Sequence, residues 1–182
     1  MRRHKSLQYL ILAAVLFIGV YAIGRSFASS DGALRPGDKP PAFRLFGLDG
    51  QVHELEEYRG RPLVINFWGT FCPPCREEMP IIQRQYERWK DQGLQVIGIN
   101  LSEDRHRVQN FVRKVGVDFP ILLDVDRRTE RAYGLRQYPT TYFLDAGGVI
   151  RDVMVGPLTE EALAERVKPL LTTDGNKGVG DG

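Results

Sequence analysis

Hydrophobic residues along this chain fall into runs of several kinds, and each kind predicts an element. The first is unbroken: LQYLILAAVLFIGVYAIG, Leu7 to Gly24, 18 residues with Gln8 as its only strongly polar member. As a helix it would span roughly 27 Å, enough for a hydrocarbon core. Further on, PLVINFW (Pro62 to Trp68) reads as an apolar strand buried on both faces, and LQVIGINL (Leu94 to Leu101) as another buried strand. FRLFGLDGQVHEL instead alternates around Asp49-Gly50, a hairpin turn signal. FPILLD predicts another short strand, and TTYFLD and VIRDVMV, separated by Ala146-Gly147-Gly148, predict a second hairpin.

Three stretches carry helical spacing. One starts at the cysteines and runs through REEMPIIQRQYERWKDQ to Gly93, with Pro80 inside it as an expected kink. EDRHRVQNFVRKVG places Val108, Phe111, Val112 and Val115 on one face. LTEEALAERVKPLL closes the domain with Thr159 as N-cap. Strands alternating with helices, then a hairpin and a terminal helix, predict an α/β sandwich with a mixed sheet. The organisation expected is a basic segment (1–6), a transmembrane signal anchor (7–24), a linker (25–41), the domain (42–171) and a disordered tail (172–182).

Charge changes the picture at the N-terminus. Arg2, Arg3 and Lys5 precede the long apolar run and only Arg25 follows closely, which holds the N-terminus in the cytoplasm and exports the rest. A cleaved signal peptide competes, since Ser26-Phe27-Ala28 resembles a cleavage site. The run is longer than a usual signal core, which favours an uncleaved anchor. Over the whole chain the charges nearly balance: 25 basic against 23 acidic residues, net +2. That gives no basis for nucleic-acid binding. Arginines gather in DVDRRTERAYGLRQ, but Asp124, Asp126 and Glu130 interleave with them. A solvated helix is the expectation there, and a docking surface for an acidic partner the competing reading.

Chemistry concentrates in FWGTFCPPCREEMP, which contains the only two cysteines, Cys72 and Cys75. Zinc would need four ligands, and His53 and His106 stand alone in the sequence. Covalent haem attachment would need His after Cys75, where Arg76 stands. A disulfide across so short a loop constrains the unfolded chain little. Redox chemistry remains, and a helix start suits it. The unpaired amides and positive dipole end favour a thiolate on Cys72. Pro73 and Pro74 lack only amides that a first turn leaves unpaired. Glu78, one turn beyond Cys75, is placed to exchange a proton with that thiol if burial raises its pKa. Tyr138-Pro139-Thr140-Thr141 enters a late strand; an X-Pro bond alone is cis only about 5–6% of the time.

The run VINFWGTFCPPC, the later YPTT and the order of elements resemble the thioredoxin fold. With the anchor, the GDKPPAF entry, the LDG hairpin, the REEMP continuation and GVDFPILLD, they resemble more narrowly the ResA-type membrane-anchored thiol-disulfide oxidoreductases of cytochrome c maturation. The resemblance implies a thioredoxin-like three-layer sandwich with a mixed central sheet and an N-terminal β-hairpin. It implies Cys72 as exposed nucleophile, Cys75 as buried resolving thiol, Glu78 as the active-site carboxylate and Pro139 as a cis-proline facing the disulfide. Tyr138 would present backbone to an extended substrate, and Thr140, Trp68, Pro73 and Pro74 complete the expected substrate-binding set. No cofactor or metal is implied. The implied partners are the C-x-x-C-H of apocytochrome c, or another exported disulfide protein, and an integral membrane thiol donor.

The chain departs from relatives at three points. Asn66 stands where cytoplasmic thioredoxins carry a buried Asp, Phe71 where many relatives have Trp, and Pro-Pro where ResA proteins have Glu-Pro. Other readings are a reductant of a different exported target in spore or envelope assembly, a disulfide-forming oxidase, or a non-enzymatic chaperone on the same scaffold. A peroxide-reducing enzyme would need Thr three residues before its cysteine, where Gly69 stands.

Overall fold

Two strands without a polar face hold the centre of the molecule. β3 (Leu63–Trp68) and β4 (Gln95–Leu101) are buried along their whole length and run parallel, Leu63 opposite Gln95. In the computed structural model, which describes residues 32–174 together with Phe17, they form the middle of a seven-stranded sheet. Apart from Phe17, the expected anchor lies outside the described residues, as do residues 175–182. Among the described residues no helix is long and apolar enough to cross a membrane.

The chain begins the sheet with the expected hairpin, β1 (Arg44–Gly47) and β2 (Val52–Glu54), turning at Asp49-Gly50. The Gly50 φ of +85° is one that glycine adopts without strain. A turn of 3-10 helix (Leu55–Tyr58) leads to β3. Helix α1 (Pro73–Trp89) follows, and then β4. Helix α2 (Arg105–Val115), capped by the Asp104 carboxylate, crosses to β5 (Ile121–Asp124), parallel to β4. A short α3 (Arg128–Ala132) precedes the antiparallel pair β6 (Thr140–Leu144) and β7 (Ile150–Val155), and α4 (Glu160–Asp174) closes the chain. Strand order is β2-β1-β5-β4-β3-β6-β7, a mixed sheet of thioredoxin type.

Period-two alternation divides the core between the two faces. Val64, Trp68 and Val96 join Met79 and Ile82 of α1, Val108 and Val112 of α2, and Leu163 and Val167 of α4. Ile65, Phe67, Ile97 and Ile99 face the other way, onto Leu55, Tyr58 and Tyr133. Gly98 on β4 makes room for Trp68: a Cβ there would lie 3.0 Å from the indole nitrogen and 2.7 Å from Ile121. Pro80 lies inside α1 as expected, and Thr159 caps α4 through its hydroxyl at 3.2 Å from the Ala162 amide.

Three expectations change. The stretch before residue 42 is not free linker throughout: the Gly37 amide donates to Ile150 O (2.8 Å) and the Ile150 amide to Asp38 O (3.0 Å). Helix α4 runs on to Asp174, past the expected end of the domain. The arginine-rich stretch is a solvated helix only in part: α3 exposes Arg128 and Arg131 but buries Thr129 and Glu130. Asp124 turns inward, is wholly buried, and accepts the Thr129 (3.2 Å) and Glu130 (2.8 Å) amides. Tyr133, also wholly buried, packs on Phe67 and Tyr142. Sequence spacing counted charges here without showing that two carboxylates serve the interior. Replacing Asp124 by Ala strips a charged acceptor from two buried amides, and urea unfolding should show a loss of about 2–3 kcal/mol.

Candidate active site

Helix α1 starts where β3 leaves the sheet, and Cys72 is its N-cap residue. The Cys72 backbone is extended (φ −100°, ψ 107°) and its Sγ accepts from the Cys75 amide at 3.3 Å. Pro73 and Pro74 fill the first helical positions, where no amide partner is lost. This local geometry brings Cys72 and Cys75 into a disulfide with a Cα–Cα distance of 5.3 Å, the spacing expected of one helical turn. Cys75 is fully buried and Cys72 is 8% exposed, so what accessibility the pair has belongs to Cys72.

The loop before the cysteines is held from the segment that follows β4. The Glu103 carboxylate, almost fully buried, accepts from the Thr70 amide (2.6 Å), the Thr70 hydroxyl and the Asn100 side-chain amide (2.9 Å). The Cys72 amide closes the turn onto Gly69 O at 3.2 Å. Phe71 folds back over Gly69, where a Cβ would lie 2.2 Å from its ring. A side chain at position 69 would displace the Phe71 ring from this position. Nothing near Glu103 in the sequence marks it as part of the site.

Glu78 is 1% exposed, one turn on from Cys75. Its Oε1 accepts from Asn66 Nδ2 (2.7 Å) and its Oε2 from the Leu158 amide (2.9 Å). The same Asn66 nitrogen donates to Thr141 Oγ1 at 2.9 Å. Burial without a cationic partner raises the Glu78 pKa to about 7, against the lowering pull of the two hydrogen bonds. Glu77, by contrast, is exposed. Asn66 thus sits on Glu78 directly, and the Leu158 amide, which no sequence pattern advertises, supplies the second donor.

The Tyr138-Pro139 peptide is cis. Pro139 O accepts from the Gly156 amide (2.8 Å), two residues before Leu158, so the loop carrying the proline and the loop holding Glu78 share one backbone segment. Tyr138 meets the half-exposed Phe71 edge to face, ring centroids 6.2 Å apart, which brings the proline loop beside the cysteines. Pro73 is exposed and Pro74 half-buried at the same helix start. Thr140 is buried, its hydroxyl donating to Gln137 O at 2.8 Å. Trp68 was expected to contact substrate and does not have the surface to do so. It is wholly buried beneath Phe111, ring centroids 5.4 Å apart, because its alternation on β3 points it into the helical layer. Among the described residues no three His, Cys, Asp or Glu side chains are arranged to hold a metal ion.

The AhpC/TSA family matches residues 36–153. The ResA thiol-disulfide oxidoreductase of Geobacillus thermodenitrificans is 33% identical over 88% of this chain and 91% of its own length. That of Halalkalibacterium halodurans is 37% identical over 87% and 92%. This chain belongs to the ResA-type thiol-disulfide oxidoreductases. A Chlorobium tepidum protein described as a DsbE-type thiol:disulfide interchange protein superposes with a TM-score of 0.72, at 30% identity over 76% of this chain and 99% of that one. As a ResA-type enzyme the protein exchanges dithiol for disulfide through C-P-P-C.

The raised pKa of Glu78 has a consequence for stability. Its folded-state value lies above that of an unfolded glutamate, so the neutral acid is the form the fold favours. That contribution is complete below about pH 4.5 and is lost as pH rises through about 7. Between pH 4.5 and 8, urea unfolding of the disulfide form should lose on the order of 3 kcal/mol more in wild type than in Glu78→Gln. Equal pH dependence in the two would contradict the assigned state.

Proposed function

We propose that the protein is an extracytoplasmic reductant of the C-x-x-C-H disulfide of apocytochrome c, held to the membrane by residues 7–24 with its N-terminus in the cytoplasm. The observation that carries the reading is the buried Glu78, its pKa raised to about 7, one turn from a fully buried Cys75. A dithiol that must give up two electrons must also lose two protons, and a carboxyl group of that pKa is suited to taking one. The anchor reading rests on the apolar run and the basic residues before it.

In this mechanism the Cys72 thiolate attacks one sulfur of the target disulfide. A mixed disulfide forms, and the other target sulfur leaves as a thiolate. Cys75 passes its proton to Glu78 and attacks Cys72 Sγ, which closes the Cys72–Cys75 disulfide and releases the second target thiolate. Both thiolates take protons from solvent. Two electrons have passed from the enzyme to its target, and a thiol donor in the membrane restores the dithiol by the same exchange. Tyr138, cis-Pro139 and the Pro73-Pro74 turn line the approach to Cys72.

The deciding measurement is the reduction potential of the full-length protein against glutathione, as a function of pH. A value near or below about −270 mV is expected, with a change of slope near pH 7 that Glu78→Gln removes. A value nearer about −120 mV would sink the reductant reading and make this a disulfide-forming enzyme. Cys75→Ser should accumulate a mixed disulfide with a C-x-x-C-H peptide, and Cys72→Ser should not.

A further inference from the structure

Phe71 is 51% exposed beside Cys72, in a domain whose other phenylalanines near the site, Phe67 and Phe143, are wholly buried. An isolated exposed hydrophobic residue needs no explanation. This one is held out by a series of constraints that begins far from it in the sequence. Asp124, buried at the end of β5, fixes the start of α3 by accepting the Thr129 and Glu130 amides. Arg127, at the turn between them, adopts a left-handed backbone (φ 57°) and donates its amide to Asp124 O at 3.2 Å. Its Nε lies 2.5 Å from Glu130 Oε2, and its Nη2 donates to the Tyr138 hydroxyl at 3.2 Å. The Tyr138 ring then stands at 85° to the Phe71 ring.

Two consequences follow from this arrangement. Glu130 balances the Arg127 charge, so the guanidinium acts as a tether for the phenol rather than as a free cation at the mouth. The two perpendicular rings form a stiff apolar corner between Cys72 and cis-Pro139. A third ring finds edge and face partners there without either host ring having to be ordered first.

We propose that the Phe71–Tyr138 corner, held in place by Arg127, selects target segments that carry an aromatic side chain beside the cysteine attacked by Cys72. The proposal rests on the reading of Cys72 as the attacking sulfur. Arg127 is a positioning residue in it, acting through Tyr138. An aromatic pair contributes beyond its area by an amount equivalent to about a three- to tenfold preference.

The test uses the full-length reduced protein and three disulfide peptides that differ only in the residue before the first cysteine: Trp, Ala or Asp. Reduction is followed by stopped flow, and the readout is the ratio of kcat/KM between peptides within each variant, which cancels any general loss of folding or thiol reactivity. Wild type should prefer the Trp peptide over the Ala peptide by about three- to tenfold. Phe71→Ala should bring that ratio close to one. Arg127→Gln and Tyr138→Phe should each at least halve it, through a higher KM for the Trp peptide. Tyr138→Phe keeps the ring and loses only the tether, so it answers the question even if Arg127→Gln is unstable. Equal rates on Trp and Ala peptides in wild type, or a ratio that survives Phe71→Ala, overturn the proposal. So does preference for the Asp peptide, which would make Arg127 a charge receptor. If the potential proves oxidising, the same ratio is read in reverse with reduced peptides. A preserved preference then supports the corner while the reductant reading falls.

Discussion

A carboxylate buried with no countercharge has to be held by hydrogen bonds, and in this protein the holding organises the active-site end of the fold. Glu78 ties together four elements: α1, which carries it; β3 through Asn66; β6 through the Asn66–Thr141 contact; and the β7–α4 loop through the Leu158 amide. That loop also supplies the Gly156 amide to the carbonyl of cis-Pro139. The Leu158 amide that holds Glu78 is therefore two residues of backbone away from the Gly156 contact that holds the proline loop. The raised pKa and the architecture have one cause. Desolvation makes the charged form costly, and the donors that make burial tolerable come from strands and loops that only the folded sheet brings together.

The second fixed point is the loop before the cysteines. Cys72 needs an extended backbone to cap α1, and Glu103 supplies the restraint from the neighbouring strand end by accepting the Thr70 amide and hydroxyl. The loop that enters the disulfide is thus held by Glu103, and Glu78 follows one helical turn beyond Cys75. Glu78 follows the motif closely while Glu103 is far from it in the sequence, and the two hold different parts of the site. Glu103 restrains Thr70, two residues before Cys72, and Glu78 is bound to β3 and the β7–α4 loop.

Much of the chemistry was legible because it is local. C-x-x-C at a helix start brings two Cα atoms within disulfide range whatever the rest of the chain does, and a glutamate three residues on shares the same face. The central strands were legible because their runs have too few polar residues to leave a face in water, and Asn66, Gln95 and Asn100 within them are buried. Trp68 shows the limit of such reasoning: a position next to the motif suggested substrate contact, while alternation on β3 turned the side chain into the core. The arginine-rich segment shows a second limit. Asp124 and Glu130 read as solvated charges until the turn at Arg127 pointed them inward.

By itself, then, the sequence determined the elements, the redox pair, its helix-start geometry and the candidate proton acceptor, since each depends on residues within a turn or a strand of one another. Tertiary structure decided the rest: the donors to Glu78, the clamp on Thr70, the tether from Arg127 to Tyr138 and the ring corner beside Cys72. Those contacts join residues 11 to 80 positions apart. Hydrogen bonds and ring packing act over a few ångströms, so a partner that distant in the chain becomes a neighbour only when the sheet fixes the order and register of its strands.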